Sequence, residues 1–171
     1  MNVKTAELHF TKSDDGVQIT DITRQIEHSV INTHIIDGIV IIHVASPETS
    51  ISTMEYEPGS ISDMKAAINR LVPKNGDSEK KFNRISDYSL GGFGTAVSYI
   101  EHSRKTREGE PDEKADGKVM HAILGPSITI PIKDNRIMTG MWQKIVLLDF
   151  SRDVAQKKVT LQIVGVFEKG N

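Results

Sequence analysis

Four stretches in the first third of the chain have the apolar pattern of strands. "AELHFTK" alternates, with Leu8 and Phe10 on one face, and "GVQITDI" follows the turn signal "DDG". "IVIIHVAS" is a continuous β-branched run, which is typical of a strand buried on both faces. "TSISTMEYE" has strand propensity and is expected to end at Pro58-Gly59.

A helix is predicted between the second and third of these strands. In "ITRQIEHSVINTHI", apolar residues recur every fourth position at Ile22, Ile26 and Val30. Asp21 precedes this stretch and is an acceptable N-cap. We therefore expect a short amphipathic helix that ends before Asp37.

A second helix is predicted in "ISDMKAAINRLV". Ser60 and Asp63 form a near capping box at its start, and Pro73 ends it. Its apolar residues fall on one helical face: Ile61, Met64, Ile68 and Leu71.

From residue 74 to about residue 118 the periodicity disappears. "SRKTREGEPDEKADGK" is almost purely polar, and "GGFG" lacks the strand–turn–helix setting of a phosphate-binding loop, so we interpret it as a hinge. The chain is therefore predicted to be a single domain over 1–171, with a long flexible insertion at about 74–118.

The C-terminal third is predicted to be all strand. "VMHAILGPSITIPI", "IMTGMWQKIVLLDF" and "KKVTLQIVGVFE" are separated by short polar turns. Together with the two helices in the N-terminal half, they predict an α+β fold dominated by an antiparallel β-sheet or sandwich.

Composition narrows the function classes. The chain has 171 residues, a formal net charge of −2 and no cysteine. The small net charge gives no bulk electrostatic reason to expect nucleic acid or an anionic membrane as a partner. Without cysteine, the chain can form neither a disulfide nor a cysteine-ligated zinc site. Because no apolar stretch approaches about 20 residues, we expect a cytoplasmic protein.

The stretch "TGMWQKIVLLDFSR" holds the only tryptophan and is the first candidate site. If residues 137–149 form one strand, Trp142 and Gln143 point to opposite faces. Trp142 is then expected to be a core anchor. Gln143 either holds a backbone carbonyl or presents its donors to a polar ligand.

The second candidate is "MEYEPG", where Glu55 and Glu57 are expected on one strand face. Paired carboxylates at a strand end can bind a divalent cation or divide acid and base roles. The alternative is an exposed acidic strand end in which Glu57 favours the N-terminus of the following helix.

The six histidines are scattered and have no metal-ligand spacing. We carry two forward, each with a structural role as the alternative. His121 lies on the predicted "VMHAILG" strand, and His102 lies beside the long insertion.

Several stretches resemble the YjbQ-like family of secondary thiamine-phosphate synthases. They are "DIT", "DGIVIIHV", "STMEYEPGSISDM", "NRLVP", "HAILGPSITIPIKDNRIMTGMWQKIVLLDFSR" and "VTLQIVG". The resemblance covers most of 15–166 except the insertion, and the "EYEPG" spelling is similar to archaeal members. It implies an α+β, mainly antiparallel fold that assembles as a homotrimer.

The family resemblance also implies an activity and a pocket. The activity joins a pyrimidine methyl pyrophosphate to a thiazole phosphate, and it needs donors or a cation for the leaving pyrophosphate. The resemblance therefore implies a phosphorylated small molecule as the ligand and a divalent cation as the cofactor. The pocket is built from the acidic strand end, a histidine-bearing segment before "LGPS", and the "WQ" strand.

This chain departs from the family where the family carries histidines. "ASPETSIST" has none at the matching place, and counting back from Gly125 places Lys118 where a family histidine stands. His121 lies three positions further on, and as part of a strand it would face away from Lys118. Arg152, near Asp149, is either a turn or intersubunit partner or part of the site.

Two hypotheses follow. The first is a thiamine-phosphate synthase-type transferase; the second is a non-catalytic homotrimeric module that binds a small molecule or a protein partner. The candidate catalytic residues are Glu55, Gln143 and His121. The candidate substrate-binding residues are Glu57, Trp142, His102, Lys118, Asp149 and Arg152.

Overall fold

The computed structural model of the protein describes residues 2–13, 16–72 and 115–168. Its strands are β1 (Asn2–Thr11), β2 (Gln18–Asp21), β3 (Ile35–Val44), β4 (Thr49–Glu55), β5 (Ser127–Lys133), β6 (Arg136–Ile137), β7 (Gln143–Asp149) and β8 (Gln156–Phe167). Its helices are α1 (Thr23–Ile31), α2 (Pro58–Leu71) and α3 (Ala115–Leu124).

The strands form two antiparallel sheets. One has five strands in the order β1-β8-β3-β5-β6, and the other has three in the order β2-β7-β4. Every strand pair within the described ranges is antiparallel. The predicted α+β class with a dominant antiparallel sheet is confirmed.

The first hydrophobic core lies between the five-stranded sheet, the segment around α1 and one face of the three-stranded sheet. α1 contributes the predicted face of Ile22, Ile26 and Val30, all fully buried. The other buried members are Ile35, Val40, Ile42, Val44, Ile51, Ile130, Ile132, Ile145, Leu147, Val159, Leu161 and Ile163.

The second core lies on the opposite face of the three-stranded sheet, beneath α2 and α3. Its buried members are Ile19, Ile68, Val72, Met120, Val146, Leu148 and Phe150. Ile61 and Met64 pack against it from α2, as the apolar face of that helix predicts. Leu71 does not follow the prediction, because it is 60% exposed.

Strand β7 is the layer shared by both cores. Ile145 and Leu147 face the first core, whereas Val146 and Leu148 face the second. Full burial of each such side chain is worth about 1.5–3 kcal/mol. The predicted alternation of the two faces along this stretch is therefore confirmed, with an apolar partner on each side.

Both predicted helices exist, but their starts differ from the prediction. Asp21 is not the N-cap of α1; it lies one position earlier, and its Oδ1 accepts a 2.9 Å hydrogen bond from the Thr23 amide. α2 begins at Pro58 instead of after Ser60. Proline is favoured in a first helical turn because the amide it lacks would have no intrahelical partner there.

The prediction that "VMHAILG" is a strand is wrong, because it belongs to α3. Gly117, Met120 and Leu124 are spaced for one helical face, and they turn toward the second core. Gly125 follows with φ +82° and donates to the His121 carbonyl at 2.8 Å, which is a typical helix end. A short apolar run does not by itself distinguish a buried strand from a buried helix.

Strand β3 also differs from expectation. Val40, Ile42 and Val44 are buried, but Ile39 on its other face is 36% exposed. Full burial on both faces, predicted from the β-branched run, is therefore wrong for the chain by itself.

Much of the predicted insertion lies outside the described residues, including "GGFG" and His102. Its last four positions, 115–118, form the first turn of α3. Within the described ranges, no helix combines the length and apolarity that a bilayer crossing requires. The cytoplasmic location stays a prediction.

Candidate functional site

The predicted site residues lie at two opposite ends of the three-stranded sheet. β4 and β7 pair so that Glu55 is opposite Gln143 at one end, and Thr49 is opposite Asp149 at the other. The two ends are six residues apart on each strand, which at the usual strand rise is about 20 Å.

At the first end, the Gln143 side chain is a local brace. Its Nε2 donates to Thr53 Oγ1 at 2.8 Å, and its Oε1 accepts from the Gly140 amide at 3.1 Å. The backbone partner of this amide is thus an N–H and not the predicted carbonyl, and its role toward a polar ligand stays a prediction.

Trp142 lies at the tip of the turn that Gln143 braces. The Gln143 amide donates to the Gly140 carbonyl at 3.0 Å, which places Met141 and Trp142 at the centre of a tight turn. Met141 is 84% exposed and Trp142 is 70% exposed. The prediction of Trp142 as a core anchor is wrong, because β6 ends at Ile137 and β7 begins only at Gln143.

Glu55 and Glu57 do not share a strand face. Glu55 is the last residue of β4, whereas Glu57 is the N-cap residue of α2 in extended conformation. The Glu57 amide donates to the Glu55 carbonyl at 3.2 Å, so the chain turns between them. Both are exposed, and Glu57 accepts a 3.5 Å hydrogen bond from Ser60, which fits the helix-terminus alternative.

An open depression of about 290 Å³ lies beside Gln143, between the end of β4 and the strand β5. We call it the Gln143 cleft. It is lined by Thr53, Ile128, Thr129, Ile130, Pro131, Met138, Thr139 and Gln143. This lining offers hydroxyls, an amide and apolar surface, and none of the described residues that form it is charged.

At the opposite end, Asp149 is buried in a local polar network. Its Oδ1 accepts from the Ser151 amide at 2.9 Å and from Ser151 Oγ at 2.6 Å. The Lys157 ammonium lies 3.8 Å from Oδ2, and the buried Lys12 ammonium donates to the Ser151 carbonyl. These contacts hold the turn after β7, which favours a structural role for Asp149.

His121 belongs to this second end. Its Nδ1 lies 2.7 Å from the Thr49 carbonyl, and because a carbonyl only accepts, Nδ1 carries the proton and donates. Lys118 lies three positions earlier on the same helix, so the two side chains are on the same side of α3. The prediction that they face in opposite directions is wrong, because it assumed a strand.

A second cavity, of about 270 Å³, lies at this end and is called the Arg152 cavity. It is lined by Gly16, Val17, Ile68, Asn69, Val72, Asp116, Gly117, Met120, Phe150 and Arg152. Arg152 is therefore a cavity residue at the Asp149 end, far from Gln143. Among the described residues, no three histidine, aspartate or glutamate side chains are grouped so as to hold a metal ion.

Sequence reasoning missed the threonines of the Gln143 cleft. Thr53 lies two residues before Glu55 on the same face of β4, so strand alternation alone places it beside the candidate carboxylate. Thr129 gives no such signal, because its position at the cleft depends on how the two sheets meet.

Comparison with known proteins agrees with the fold. The model of the family described as "UPF0047 protein YjbQ-like" matches residues 6–166. A UPF0047 protein of Archaeoglobus fulgidus is 27% identical over 139 residues, covering 81% of this chain and 86% of that protein. A UPF0047 protein of Mycobacterium bovis is 23% identical over 128 residues, covering 75% and 78%.

Solved structures show the same architecture. A YbjQ-like protein of unknown function from Sulfolobus solfataricus P2 superimposes with a TM-score of 0.71 at 21% identity, covering 96% of this chain and 98% of that one. A hypothetical protein from Aeropyrum pernix K1 gives a TM-score of 0.70 at 18% identity, covering 95% and 98%. Because the family model matches nearly the whole length of this chain, the chain belongs to the YjbQ-like UPF0047 family.

Proposed function

We propose that this member of the family is a non-catalytic, homo-oligomeric protein that binds a small uncharged molecule in the Gln143 cleft. The observation that carries the proposal is the separation of the candidate catalytic residues. Glu55 and Gln143 lie at one end of β4, and His121 contacts Thr49 at the other.

That separation bears directly on catalysis. A general acid or base acts within hydrogen-bond reach of its proton, about 3 Å, or through one water. Strand geometry places the two groups about 20 Å apart within one chain. Within one protomer, His121 therefore cannot act on a substrate atom held by Glu55 and Gln143.

The chemistry of the Gln143 cleft supports an uncharged ligand. Phosphate and pyrophosphate groups are bound by arginine, lysine or a cation, and neither arginine nor lysine is among the described residues that line the cleft. The Gln143 amide is already engaged by Gly140 and Thr53. What remains for a ligand is hydroxyl groups above an apolar floor, the usual make-up of a small-molecule site.

The thiamine-phosphate synthase-type transferase is the second candidate, and one observation favours it. Arg152 lines the cavity at the other end of the sheet. Its guanidinium is the kind of group that binds the phosphate of a phosphorylated small molecule. In that case the predicted site lies around Lys118, His121 and Arg152, without Gln143.

Homo-oligomerisation, proposed as a trimer, is supported by exposed apolar surface. Met138, Met141 and Trp142 lie within one five-residue segment, and they are 55%, 84% and 70% exposed. Large contiguous apolar surfaces are uncommon on monomeric proteins and mark contact sites. Solution mass by sedimentation or light scattering tests this part directly.

Complementation separates the two candidate functions. We expect the wild-type chain not to restore growth of a strain that lacks thiamine-phosphate synthase. Rescue would overturn the non-catalytic proposal, and paired Glu55→Ala and His121→Ala variants would then show which end of the sheet is required.

Binding is tested by thermal shift against uncharged sugars and nucleosides and against their phosphate esters. We expect stabilisation by uncharged compounds, lost in Thr129→Val. The matched control is Thr5→Val, an exposed strand threonine outside the cleft. Stabilisation by the phosphate esters alone, unaffected by Thr129→Val, would contradict the proposed site.

A further inference from the structure

The Gln143 cleft meets the edge of strand β5. Four consecutive residues of that strand line it: Ile128, Thr129, Ile130 and Pro131. Successive side chains of a strand point to opposite faces, so a cleft that touches four residues in a row faces the backbone edge between those faces. Burial agrees, because Ile130 is 6% exposed and packs in the first core, whereas Thr129 and Pro131 are exposed on the other face.

The hydrogen bonds of β5 show that this is the edge that faces away from β3. In an antiparallel pair, every second residue bonds the neighbouring strand, and the residues between turn their N–H and C=O to the other side. The Val44 amide donates to the Pro126 carbonyl at 2.9 Å, one pair beyond the β3–β5 register. Counting in twos from Pro126, Ile128 and Ile130 bond β3, and Thr129 turns its backbone groups away from it.

Strand β6 occupies this edge only beyond Thr129. The Met138 amide donates to the Pro131 carbonyl at 2.8 Å, so Pro131 turns its backbone toward β6, as Thr129 must two residues earlier. Within the described ranges, β6 pairs with the last two residues of β5, and no strand is paired beside Thr129 on this side. The Thr129 N–H and C=O therefore both open into the Gln143 cleft.

This pair of backbone groups selects the chemistry of a ligand. An N–H and a C=O on the same side of one extended residue are complemented by the C=O and N–H of another extended residue, which exchange two hydrogen bonds with them. Pairing of an added peptide with an open strand edge is a recurrent mode of recognition. Because β6 covers the edge from Pro131 onward and the lining begins at Ile128, the open edge accommodates one such pair, which limits the ligand to a short segment.

We propose that the ligand of the Gln143 cleft is a short uncharged peptide-like amide, which pairs as an added strand with the backbone N–H and C=O of Thr129. Across the cleft, Thr53 Oγ1 accepts from Gln143 Nε2 at 2.8 Å, so its own O–H can donate to a further carbonyl of the ligand. An apolar ligand side chain fits against Ile128 and Met138. The inference rests on the proposed function, since it names the chemical class of the uncharged molecule.

Hydrogen exchange of single amides, followed by NMR, tests the open edge in the ligand-free protein. The Ile128 and Ile130 amides bond β3 and should exchange slowly, whereas the Thr129 amide between them should exchange roughly 100-fold faster. Equally slow exchange of all three amides would overturn the proposal, because the Thr129 amide would then already have a partner.

The probe for binding is N-acetyl-L-leucine N′-methylamide, which is one uncharged residue with an amide on each side. At a concentration ten times its dissociation constant, it should slow exchange of the Thr129 amide about tenfold, because only the free protein then exchanges. The control is the Ser127 amide, which lies on the same edge but outside the residues that line the cleft. Binding that is detected by thermal shift and leaves Thr129 exchange unchanged would overturn the proposal.

A matched ester tests the second hydrogen bond. In this compound an oxygen atom replaces the leucine N–H, so the shape is kept and the donor to the Thr129 carbonyl is lost. We expect its dissociation constant to be roughly tenfold higher than that of the amide, since the carbonyl is left without a partner in the complex. Equal affinity of the amide and the ester would overturn the added-strand pairing.

The proposed function and this inference fail by different results. If sugars or nucleosides stabilise the protein and the peptide probe neither stabilises it nor slows Thr129 exchange, the amide pairing fails alone. If the peptide probe slows Thr129 exchange and the same chain rescues the strain that lacks thiamine-phosphate synthase, the non-catalytic function fails alone.

Discussion

The two ends of the three-stranded sheet use polar side chains in opposite ways. At the Asp149 end, the buried carboxylate is held by Ser151 and Lys157, and the buried Lys12 ammonium donates to the Ser151 carbonyl. At the Gln143 end, the polar contacts hold apolar Met141 and Trp142 out in solvent. The first arrangement stabilises the chain, and the second leaves two large apolar side chains exposed.

The largest effect should follow from breaking the Asp149 network. Asp149→Ala removes the acceptor for Ser151 and leaves the Lys157 ammonium, 10% exposed, without its carboxylate. We expect a loss of about 3 kcal/mol in the free energy of unfolding, measured by urea denaturation. The control Asp63→Ala, exposed on α2, should change it by less than about 0.5 kcal/mol; equal values for the two would refute the comparison.

His121 should behave as a structural residue of the same end. His121→Ala loses the hydrogen bond to the Thr49 carbonyl, and we expect a cost of about 1–2 kcal/mol because that half-buried carbonyl is left without its donor. Urea denaturation measures the cost, with the exposed His9→Ala as control. Ligand stabilisation at the Gln143 cleft should not change, and a loss of it would link the two ends.

Gln143→Ala should cost about 1 kcal/mol, since both of its side-chain hydrogen bonds are exposed. Its main effect should be faster hydrogen exchange at the Gly140 amide, whose acceptor is removed. Gln143→Glu keeps an acceptor for the Gly140 amide and would accept from the Thr53 hydroxyl instead of donating to it, so its exchange rate should stay near that of the wild type. Equal rates in all three proteins would show that the side chain does not brace the turn.

The smallest effect on stability should come from Trp142. At low protein concentration, Trp142→Ala should change the free energy of unfolding by less than about 0.5 kcal/mol, because the indole has little packing to lose. Leu148→Ala, fully buried in the second core, should cost about 2–5 kcal/mol in the same urea assay. A large loss in Trp142→Ala would show that the indole packs within its own chain.

Most of the fold follows from local patterns. The spacing of Ile22, Ile26 and Val30 predicts α1 and its buried face, because one helical stripe can meet only one core. The alternation along β7 predicts its two faces, because successive side chains of a strand point to opposite sides of the sheet. The helix containing His121 could not be predicted, since a short apolar run satisfies either period, and the packing of α3 against the second core depends on residues distant in the sequence.

For the candidate site, the sequence by itself determined which residues are unusual: a single tryptophan beside a glutamine, two glutamates at a strand end, and an aspartate that closes the same strand. Only the tertiary structure decided how they are grouped. Antiparallel pairing of β4 with β7 brings Glu55 to Gln143 and carries Asp149 to the far end. The register of β7 is fixed because both of its faces are buried, each against a different core. Which layers cover those faces depends on the folded structure and cannot be read from the order of residues along the chain.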